Sequence, residues 1–257
     1  MAAFFYLRDV PFPILLTHIA IVIMLYYVLR ISLILMTVYF IGLWRKKIKP
    51  ERTRFSESGH AEKRILIAGD STAVGTGAND IAGTFTSMFA KDFPNTNISN
   101  VATNGALTQD ILKQFKGIKY LEQDIIIIST GGNDIWSLIT MKTLREDLTS
   151  VLNLAKMMSG EHVFILFFGN ISSIYLLPYF ARKLLTRRER KILQIFKDVC
   201  EQEGVKLLEL FTNEQDNPFI ENPKRYFSAD RLHPSADGYA LWYEHILTAL
   251  KKNKYLS

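Results

Sequence analysis

Cysteine is nearly absent from this chain of 257 residues, in which Cys200 is the single example. A lone cysteine has no partner for an internal disulfide, and it cannot form a cysteine metal cluster. Cys200 falls in a helical pattern, so we expect a small buried side chain there and not a nucleophile. A disulfide framework and a cysteine-based metal centre are therefore excluded.

Most of the chain has little net charge, although the formal net charge of the whole sequence is +6. Residues 45–60 carry a net charge of +4, whereas residues 61–257 carry only +1. The globular part is thus nearly neutral and lacks the broad basic face that is typical of nucleic-acid binding. We expect no nucleic-acid partner. Internal repeats and low-complexity tracts are missing from the sequence as well.

Charge is rarest near the N terminus, where Arg30 is the only fully charged residue between Asp9 and Arg45. As one helix, the apolar run Val10–Trp44 would be about 50 Å long, which exceeds the roughly 30 Å hydrocarbon core of a bilayer. The run is too long for a cleaved signal peptide, and no small-residue cleavage site follows it. We expect one tilted or bent membrane helix; the alternative is an amphipathic segment in the membrane interface.

The charges beside this run predict its orientation and a division of the chain. The basic cluster Arg45–Lys49 outweighs the single Arg8 on the other side, so the positive-inside rule places the following domain in the cytoplasm. Residues 49–62 are polar and basic, as expected of a linker. We therefore divide the chain into a membrane-anchor segment at residues 1–48, this linker, and a globular domain at residues 63–257.

The globular domain alternates short apolar runs with longer helical patterns, which is typical of a parallel sheet with crossover helices. Right-handed crossovers then give an α/β fold, a three-layer α/β/α sandwich around five parallel strands. The predicted strands are Ile65–Ala68, Asn97–Val101, Asp124–Ser129, Val163–Phe168 and Lys206–Leu210, and the predicted helices cover about residues 79–92, 107–117, 141–159, 185–203 and 235–251.

The first predicted strand runs into Gly69-Asp70-Ser71, and Gly75 follows four residues after the serine. A serine at the carboxyl end of a buried strand is placed to act as an exposed nucleophile, because ligands of open α/β sheets bind at that edge. The alternative is a plain helix N-cap, since Asp and Ser both cap helices well.

Two further turns that follow predicted strands contain candidate ligand contacts. Gly105 lies after the second strand, where a glycine lets the backbone approach another group closely; it is equally well explained as a turn glycine. Asn133 follows two glycines after the third strand, and its amide can donate into the same crevice as Ser71. The alternative for Asn133 is an Asx-turn that leads into a helix.

A third motif, Asp230-Arg231-Leu232-His233-Pro234, precedes the last predicted helix. An Asp and a His three residues apart can lie on one side of a turn, where the His acts as general base and the Asp orients its ring. The other histidines, His18, His60, His162 and His245, have no comparable partner nearby in the sequence.

The combination of these motifs resembles the SGNH hydrolase superfamily, the GDSL esterases and lipases. That family has a Gly-Asp-Ser block, then a Gly, a Gly-x-Asn-Asp block and a C-terminal Asp-x-x-His-Pro. The matching positions, in family order, are Ser71, Gly105, Asn133, Asp230 and His233. Thr72 stands where the family name has Leu. The resemblance covers roughly Lys63–Leu250, leaves out the N-terminal segment, and implies the flavodoxin-like SGNH hydrolase fold.

The resemblance also implies a role for each residue. Ser71 would attack an ester or thioester carbonyl, His233 would transfer its proton, and Asp230 would hold His233. The oxyanion hole would be formed by the backbone N–H groups of Ser71 and Gly105 and the side-chain amide of Asn133. No metal and no organic cofactor would be needed, and the partner in the reaction would be an acyl-ester substrate.

The substrate is less well defined by the sequence. Ser172–Lys191 joins an apolar and aromatic run to a basic run, which fits a flap against acyl chains and anionic headgroups. An apolar loop over the core followed by a solvated helix face explains the same pattern. We expect a membrane-anchored acyl-ester hydrolase acting on lipid-like esters such as lysophospholipids. The alternatives are a carbohydrate O-acetyl esterase or acyltransferase with the same triad, and a catalytically silent acyl- or partner-binding domain.

Overall fold

The structure is a computed structural model, and it describes residues 14, 16–30, 32, 54–55, 63–116, 118, 123–137, 139–169, 174, 179–210 and 217–252. The chain divides into two units, Met1–Lys47 and Ile48–Ser257. In the first unit, residues 16–30 form a helix, α1, whose large apolar side chains are about half exposed. None of the helices that the structure describes is both long enough and apolar enough to span a membrane.

The second unit is built on one six-stranded sheet with the spatial order β1-β3-β2-β4-β5-β6. The five predicted strands are all present, and they run parallel to one another. The sixth strand, β1, pairs antiparallel with β3 at the edge of the sheet and lies within the predicted linker. The strands are β1 (Arg54–Phe55), β2 (Lys63–Gly69), β3 (Thr96–Asn100), β4 (Gln123–Ser129), β5 (Ser159–Phe168) and β6 (Lys206–Leu210).

Helices cover both faces of the sheet, and two 3-10 turns at Ile81–Gly83 and Thr108–Asp110 precede two of them. These turns replace the first residues of the helices predicted at 79–92 and 107–117. The helix predicted at 185–203 begins six residues earlier, directly after Pro178. The helices are α2 (Ser71–Val74), α3 (Phe85–Asp92), α4 (Ile111–Lys116), α5 (Gly132–Trp136), α6 (Met141–Met158), α7 (Tyr179–Glu203), α8 (Pro218–Glu221), α9 (Pro223–Tyr226) and α10 (Ala236–Lys252).

The four isoleucines of β4 show how the strands hold the layers together. Successive side chains of a strand point to opposite faces. Ile126 and Ile128 accordingly pack in one core with α6 and α7, while Ile125 and Ile127 pack in the other with α3 and α10. All four side chains are buried. A three-layer sandwich with a core on each side of the sheet follows from this alternation.

Cys200 occupies the first of these cores at 2% exposure, as expected from its place in a helical pattern. Burial raises the pKa of its thiol to about 12. A thiol with such a pKa stays protonated near neutral pH and is a poor nucleophile.

The strand order places a crevice between β2 and β4. The chain leaves β2 toward β3 on one side, and it later returns to form β4 on the other side. Reversals of this kind leave room beyond the carboxyl ends of the two strands, which is where open α/β sheets bind ligands. Ser71 follows β2 and Asn133 follows β4, so both lie at this point.

Candidate active site

Ser71 is held at the edge of the sheet by a sharp turn at Gly69. The φ angle of Gly69 is 142°, and an added Cβ would lie 2.1 Å from the carbonyl oxygen of Ser129. Only glycine fits this approach of two backbones. The side chain of Gln114 closes the turn, because its Oε1 accepts from the N–H of Gly69 and its Nε2 donates to the Gly69 carbonyl, both at 2.8 Å.

The next two residues start the short helix α2. Asp70 is its N-cap, and its Oδ1 accepts hydrogen bonds from the backbone N–H of Thr72 at 2.9 Å and from the Thr72 hydroxyl at 2.7 Å. Gly75 ends the helix in a left-handed conformation with a φ of 90°. Ser71 is thus the first residue of a capped helical turn, as the N-cap interpretation also predicted.

The structure brings Ser71, His233 and Asp230 into one chain of hydrogen bonds. Ser71 Oγ lies 2.9 Å from His233 Nε2, and His233 Nδ1 lies 2.6 Å from Asp230 Oδ2. A carboxylate can only accept, so Nδ1 carries the proton that it donates to Asp230. In the neutral ring, Nε2 has no proton and therefore accepts a hydrogen bond from the Ser71 hydroxyl.

Asp230 is held by more than the imidazole. Its Oδ1 accepts from the Ser228 hydroxyl at 2.7 Å and from the backbone N–H groups of Leu232 and His233 at 2.8 and 2.9 Å. Burial acts to raise the pKa of Asp230, but the hydrogen bonds and the charge of His233 outweigh it and hold that pKa well below its usual range. Asp230 is therefore ionised near neutral pH.

Gly77 lets the His233 loop approach the turn after α2. Its φ angle is 100°, and an added Cβ would lie 2.5 Å from the Pro234 carbonyl and 2.8 Å from the His233 Cβ. This contact fixes the distance between the segment that carries Ser71 and the segment that carries His233. No local pattern in the sequence marks Gly77, because the two segments are far apart in the chain.

Asn133 lines the same cavity as Ser71 and His233. Its amide Nδ2 donates to the Ala106 carbonyl at 3.0 Å and to Asp70 Oδ2 at 3.4 Å. These contacts join α5 to the loop after β3 and to the N-cap of α2, and they occupy both N–H groups of the amide. Asn133 is the second residue of α5, so it lies inside the helix and not in the turn before it.

Gly105 lies one residue before Ala106, in a turn where its φ angle is 75°. It is not among the described residues that line the cavity. The turn is fixed from the other side by Thr76, whose hydroxyl donates to Asn104 Oδ1 at 2.6 Å. The structure therefore places Gly105 next to the contact partner of Asn133 and outside the wall of the cavity.

The cavity beside Ser71 is mainly apolar. Its volume is about 80 Å³. Five apolar side chains contribute to the wall, and the polar part is formed by Ser71, His233, Asn133 and their neighbours. The apolar residues are Ile135, Trp136, Phe168, Ile174 and Leu232.

Behind the cavity, Asp134 holds α5 in place. Its carboxylate accepts from the Thr108 hydroxyl at 2.9 Å and from the Thr108 N–H at 3.2 Å. Burial raises the pKa of Asp134 to about 6, although these hydrogen bonds oppose the shift. Arg188 caps the same helix from α7, because its guanidinium donates to the carbonyl oxygens of Asp134, Ile135 and Ile139. Arg188 belongs to the basic run of the sequence, but its role here is structural.

Sequence reasoning found the residues with reactive side chains and missed those that support them. No local sequence pattern marks the supporting residues Gln114, Thr76 and Ser129. The hydroxyl of Ser129 lies 2.7 Å from the hydroxyl of Thr72. The part of the flap at residues 175–178 lies outside the described residues, while Ile174 is buried. No group of three or more His, Cys, Asp or Glu suited to a metal ion occurs in the part of the chain that the structure describes.

A family model, described as the GDSL-like lipase/acylhydrolase family, matches residues 67–241. Solved structures share the fold at low sequence identity. A lipolytic protein of the G-D-S-L family from Veillonella parvula is 18% identical with a TM-score of 0.60, and the match covers 74% of this chain and 98% of that protein.

Two other structures belong to enzymes with different substrates. A phospholipase A1 from Streptomyces albidoflavus is 15% identical with a TM-score of 0.53, and an acetyl xylan esterase is 13% identical with a TM-score of 0.56. Each match covers 73% of this chain and 99% of the other. No curated protein sequence matches the chain. Identities this low establish the shared fold and leave the substrate open.

Proposed function

Because the chain belongs to the GDSL-like lipase/acylhydrolase family, we propose that it is a serine hydrolase that cleaves carboxylic esters with Ser71, His233 and Asp230. The observation that carries the proposal is the unbroken chain of hydrogen bonds from Ser71 Oγ through the His233 ring to Asp230. A binding domain has no need for this arrangement, whereas a nucleophilic serine requires a base that is itself oriented by a third group.

The reaction follows from the proton positions. Ser71 Oγ attacks the ester carbonyl while its proton moves to His233 Nε2, and a tetrahedral intermediate forms. His233 then returns the proton to the leaving alcohol as the ester C–O bond breaks, which leaves an acyl group on Ser71. Water attacks this acyl-enzyme with His233 again as base, and the acid product leaves.

Asp230 has two tasks in this scheme. It holds the Nδ1–H tautomer, so that Nε2 faces Ser71 as a base. It also stabilises the imidazolium that forms when His233 takes the proton. The low pKa of Asp230 suits both tasks, because the carboxylate remains negative throughout the reaction.

The oxyanion of the tetrahedral intermediate is proposed to bind the backbone N–H groups of Ser71 and Gly105 and the amide of Asn133. The position of Asn133 in the cavity wall supports its part of this assignment. On substrate binding, one amide N–H exchanges its partner in the structure, the Ala106 carbonyl or Asp70, for the oxyanion. The Gly105 part rests on the family resemblance and on its place next to Ala106, to which Asn133 is hydrogen bonded.

The apolar wall of the cavity favours an acyl chain as the group beside Ser71. Its volume is about 80 Å³, so the cavity itself takes a small group such as a short acyl chain. A longer, lipid-like acyl chain would extend past Ile174 and out of the cavity. The small enclosed volume also supports the second candidate, a carbohydrate O-acetyl esterase or acyltransferase with the same residues.

We further propose that residues 1–48 anchor the enzyme to a membrane and that the hydrolase domain faces the cytoplasm. The apolar run of the sequence and the exposed apolar side chains of α1 support the anchor, because such surfaces are costly in water. The basic cluster that follows supports the orientation. The proposed partners are therefore membrane lipid and an acyl-ester substrate.

Hydrolysis of p-nitrophenyl esters of increasing chain length by the detergent-solubilised full chain tests the proposal. Activity that disappears in Ser71→Ala and persists in Ser150→Ala, an exposed serine of α6, would support the serine hydrolase. Preference for long chains would favour a lipid substrate, and preference for acetate would favour the second candidate. A folded protein that is inactive on every ester would overturn the hydrolase proposal.

A further inference from the structure

We propose that the N-terminal half of α7 binds the anionic headgroups of a membrane, next to the mouth of the active site. The contact surface, which we call the α7 basic surface, consists of Tyr179, Lys183, Leu184, Arg187 and Lys191. This surface is a second membrane contact, separate from residues 1–48. The proposal rests on the proposed function, because its purpose would be to bring the serine site to a lipid surface.

The α7 basic surface combines cations with exposed apolar side chains. Lys183, Arg187 and Lys191 are exposed and lie four residues apart, so they share one side of the helix. Tyr179 is 70% exposed and Leu184 is 56% exposed. Basic residues that flank exposed aromatic and aliphatic side chains on one helix are typical of segments that lie in a membrane interface.

Negative charge is kept away from this surface. The only acidic residue between Tyr179 and Lys197 is Glu189, which is 6% exposed. Its carboxylate packs toward the sheet, where an added Cβ on Gly169 would lie 2.3 Å from its Oε1. The N-terminal half of α7 is therefore cationic toward solvent, and its one acidic side chain is buried.

The C-terminal half of α7 shows the ordinary pattern in contrast. There Lys197 pairs with Glu209 at 2.9 Å, and Asp198 pairs with Arg145 at 2.7 Å. None of the three cations of the α7 basic surface forms a salt bridge with another residue that the structure describes. Charge that is balanced in one half and unbalanced in the other points to an external partner for the unbalanced half.

The position of the surface connects it to the active site. Helix α7 starts after β5, at the carboxyl edge of the sheet, and runs back toward the start of β6. Arg188, within the basic stretch, donates to carbonyl oxygens around α5, the helix that carries Asn133. The α7 basic surface therefore begins, at Tyr179, at the same edge of the sheet as Ser71, where a lipid-borne ester would enter.

An anionic lipid surface fits these observations better than nucleic acid does. The hydrolase domain is nearly neutral apart from this helix, so it lacks the wide basic face that nucleic acids require. The Tyr179 ring suits either partner, whereas Leu184 gives no stacking surface for a base but inserts readily among acyl chains. Each Lys or Arg close to an anionic membrane strengthens binding by about fivefold.

A fluorescent label tests the proposal in the full chain. Tyr179→Cys is labelled with a nitrobenzoxadiazole dye, and native Cys200 does not interfere because it is 2% exposed. The matched control is Met157→Cys, which is 76% exposed and lies at the end of α6 before β5, at the opposite edge of the sheet. Both proteins are reconstituted in vesicles of phosphatidylcholine alone or mixed equally with phosphatidylserine.

We expect the label at position 179 to shift to the blue in the mixed vesicles, to lose the shift in high salt, and to stay unshifted in phosphatidylcholine alone. The label at position 157 should not shift in either. A triple variant should lower the ratio of lipid-bound to unbound α7 basic surface about a hundredfold. Its substitutions are Lys183→Gln, Arg187→Gln and Lys191→Gln. Equal spectra at the two positions, an equal shift in neutral vesicles, or a shift with single-stranded RNA and not with vesicles would overturn the proposal.

The label reports lipid contact without any ester turnover, so the two proposals can fail separately. Hydrolysis that depends on Ser71 without lipid contact at position 179 would overturn the α7 basic surface alone. Lipid contact without hydrolysis would overturn the hydrolase and support the surface.

Discussion

Thr76 donates a hydrogen bond of 2.6 Å to Asn104 and so ties the turn after the nucleophile helix to the turn that carries Gly105. The backbone N–H of Thr76 also donates to the Ser71 carbonyl at 2.9 Å, and its own carbonyl accepts from the buried Tyr239 hydroxyl at 2.8 Å. Thr76 therefore links the segment of Ser71 to the proposed oxyanion donor at Gly105.

Replacing Thr76 by Val keeps the shape of the side chain and removes this donor. We expect kcat for a p-nitrophenyl ester to fall about tenfold with little change in KM, because Gly105 would be less well placed for the transition state. Thr76→Ser keeps the hydroxyl and should restore most of the rate. A Val variant with the kcat of the wild type would show that the link does not position Gly105.

Asn133 is expected to contribute its amide to the oxyanion hole. Asn133→Ala should lower kcat about a hundred- to a thousandfold, the usual cost of losing one such donor, with little change in KM. Thermal unfolding serves as the control, because the lost hydrogen bonds to the Ala106 carbonyl and to Asp70 should cost about 2–3 kcal/mol and leave the protein folded. A folded variant within tenfold of the wild-type kcat would contradict the assignment.

Asp134 should make stability depend on pH. Its pKa rises from 3.8 to about 6 in the folded protein, so the folded state holds the proton more tightly than the unfolded state does. The resulting stabilisation is complete below pH 3.8 and is lost as the pH rises through about 6. The shift corresponds to about 3 kcal/mol.

Asp134→Asn removes the titration and keeps an oxygen that can accept from Thr108. We expect the free energy of unfolding of the wild type to fall relative to this variant by about 3 kcal/mol between about pH 3 and pH 8. Chemical denaturation at a series of pH values measures the difference. A difference that stays constant with pH would show that Asp134 is already ionised at low pH.

Gly69→Ala should be strongly destabilising, because its Cβ would lie 2.1 Å from the Ser129 carbonyl oxygen. We expect a loss of about 4 kcal/mol or a failure to fold. Gly204→Ala is the matched control: Gly204 also has a positive φ, 68°, but nothing lies within 4 Å of an added Cβ. That variant should lose only about 1 kcal/mol from backbone strain. Similar melting temperatures for the two variants would contradict the crowding at Gly69.

The sequence predicted the fold well where local patterns decide it. The apolar runs of β2 and β4 gave strands that are right to within two residues at each end. Strand β1 was missed because two residues at the edge of a sheet carry no periodic signal. Helix α7 was predicted too short, since the apolar residues before residue 185 were interpreted as a flap.

The residues of the active site likewise fall into those that a local sequence pattern predicts and those that it does not. Ser71, Asn133, Asp230 and His233 could be found because reactive side chains stand in short motifs at predicted strand ends and loops. Gln114 and Thr76 could not, because each acts through a hydrogen bond to a residue at least 28 positions away. The raised pKa of Asp134 depends on burial behind the sheet edge, which no local pattern encodes.

Covalent labelling of Ser71 by a fluorophosphonate ester tests the central claim most directly. The reagent reacts with a serine that has an activated hydroxyl, so the full chain should gain one adduct, which peptide mass spectrometry should locate at Ser71. Ser71→Ala should gain none, His233→Ala should react far more slowly, and Ser150→Ala should react like the wild type. An unlabelled but folded wild-type protein, or an adduct on another serine, would contradict the account.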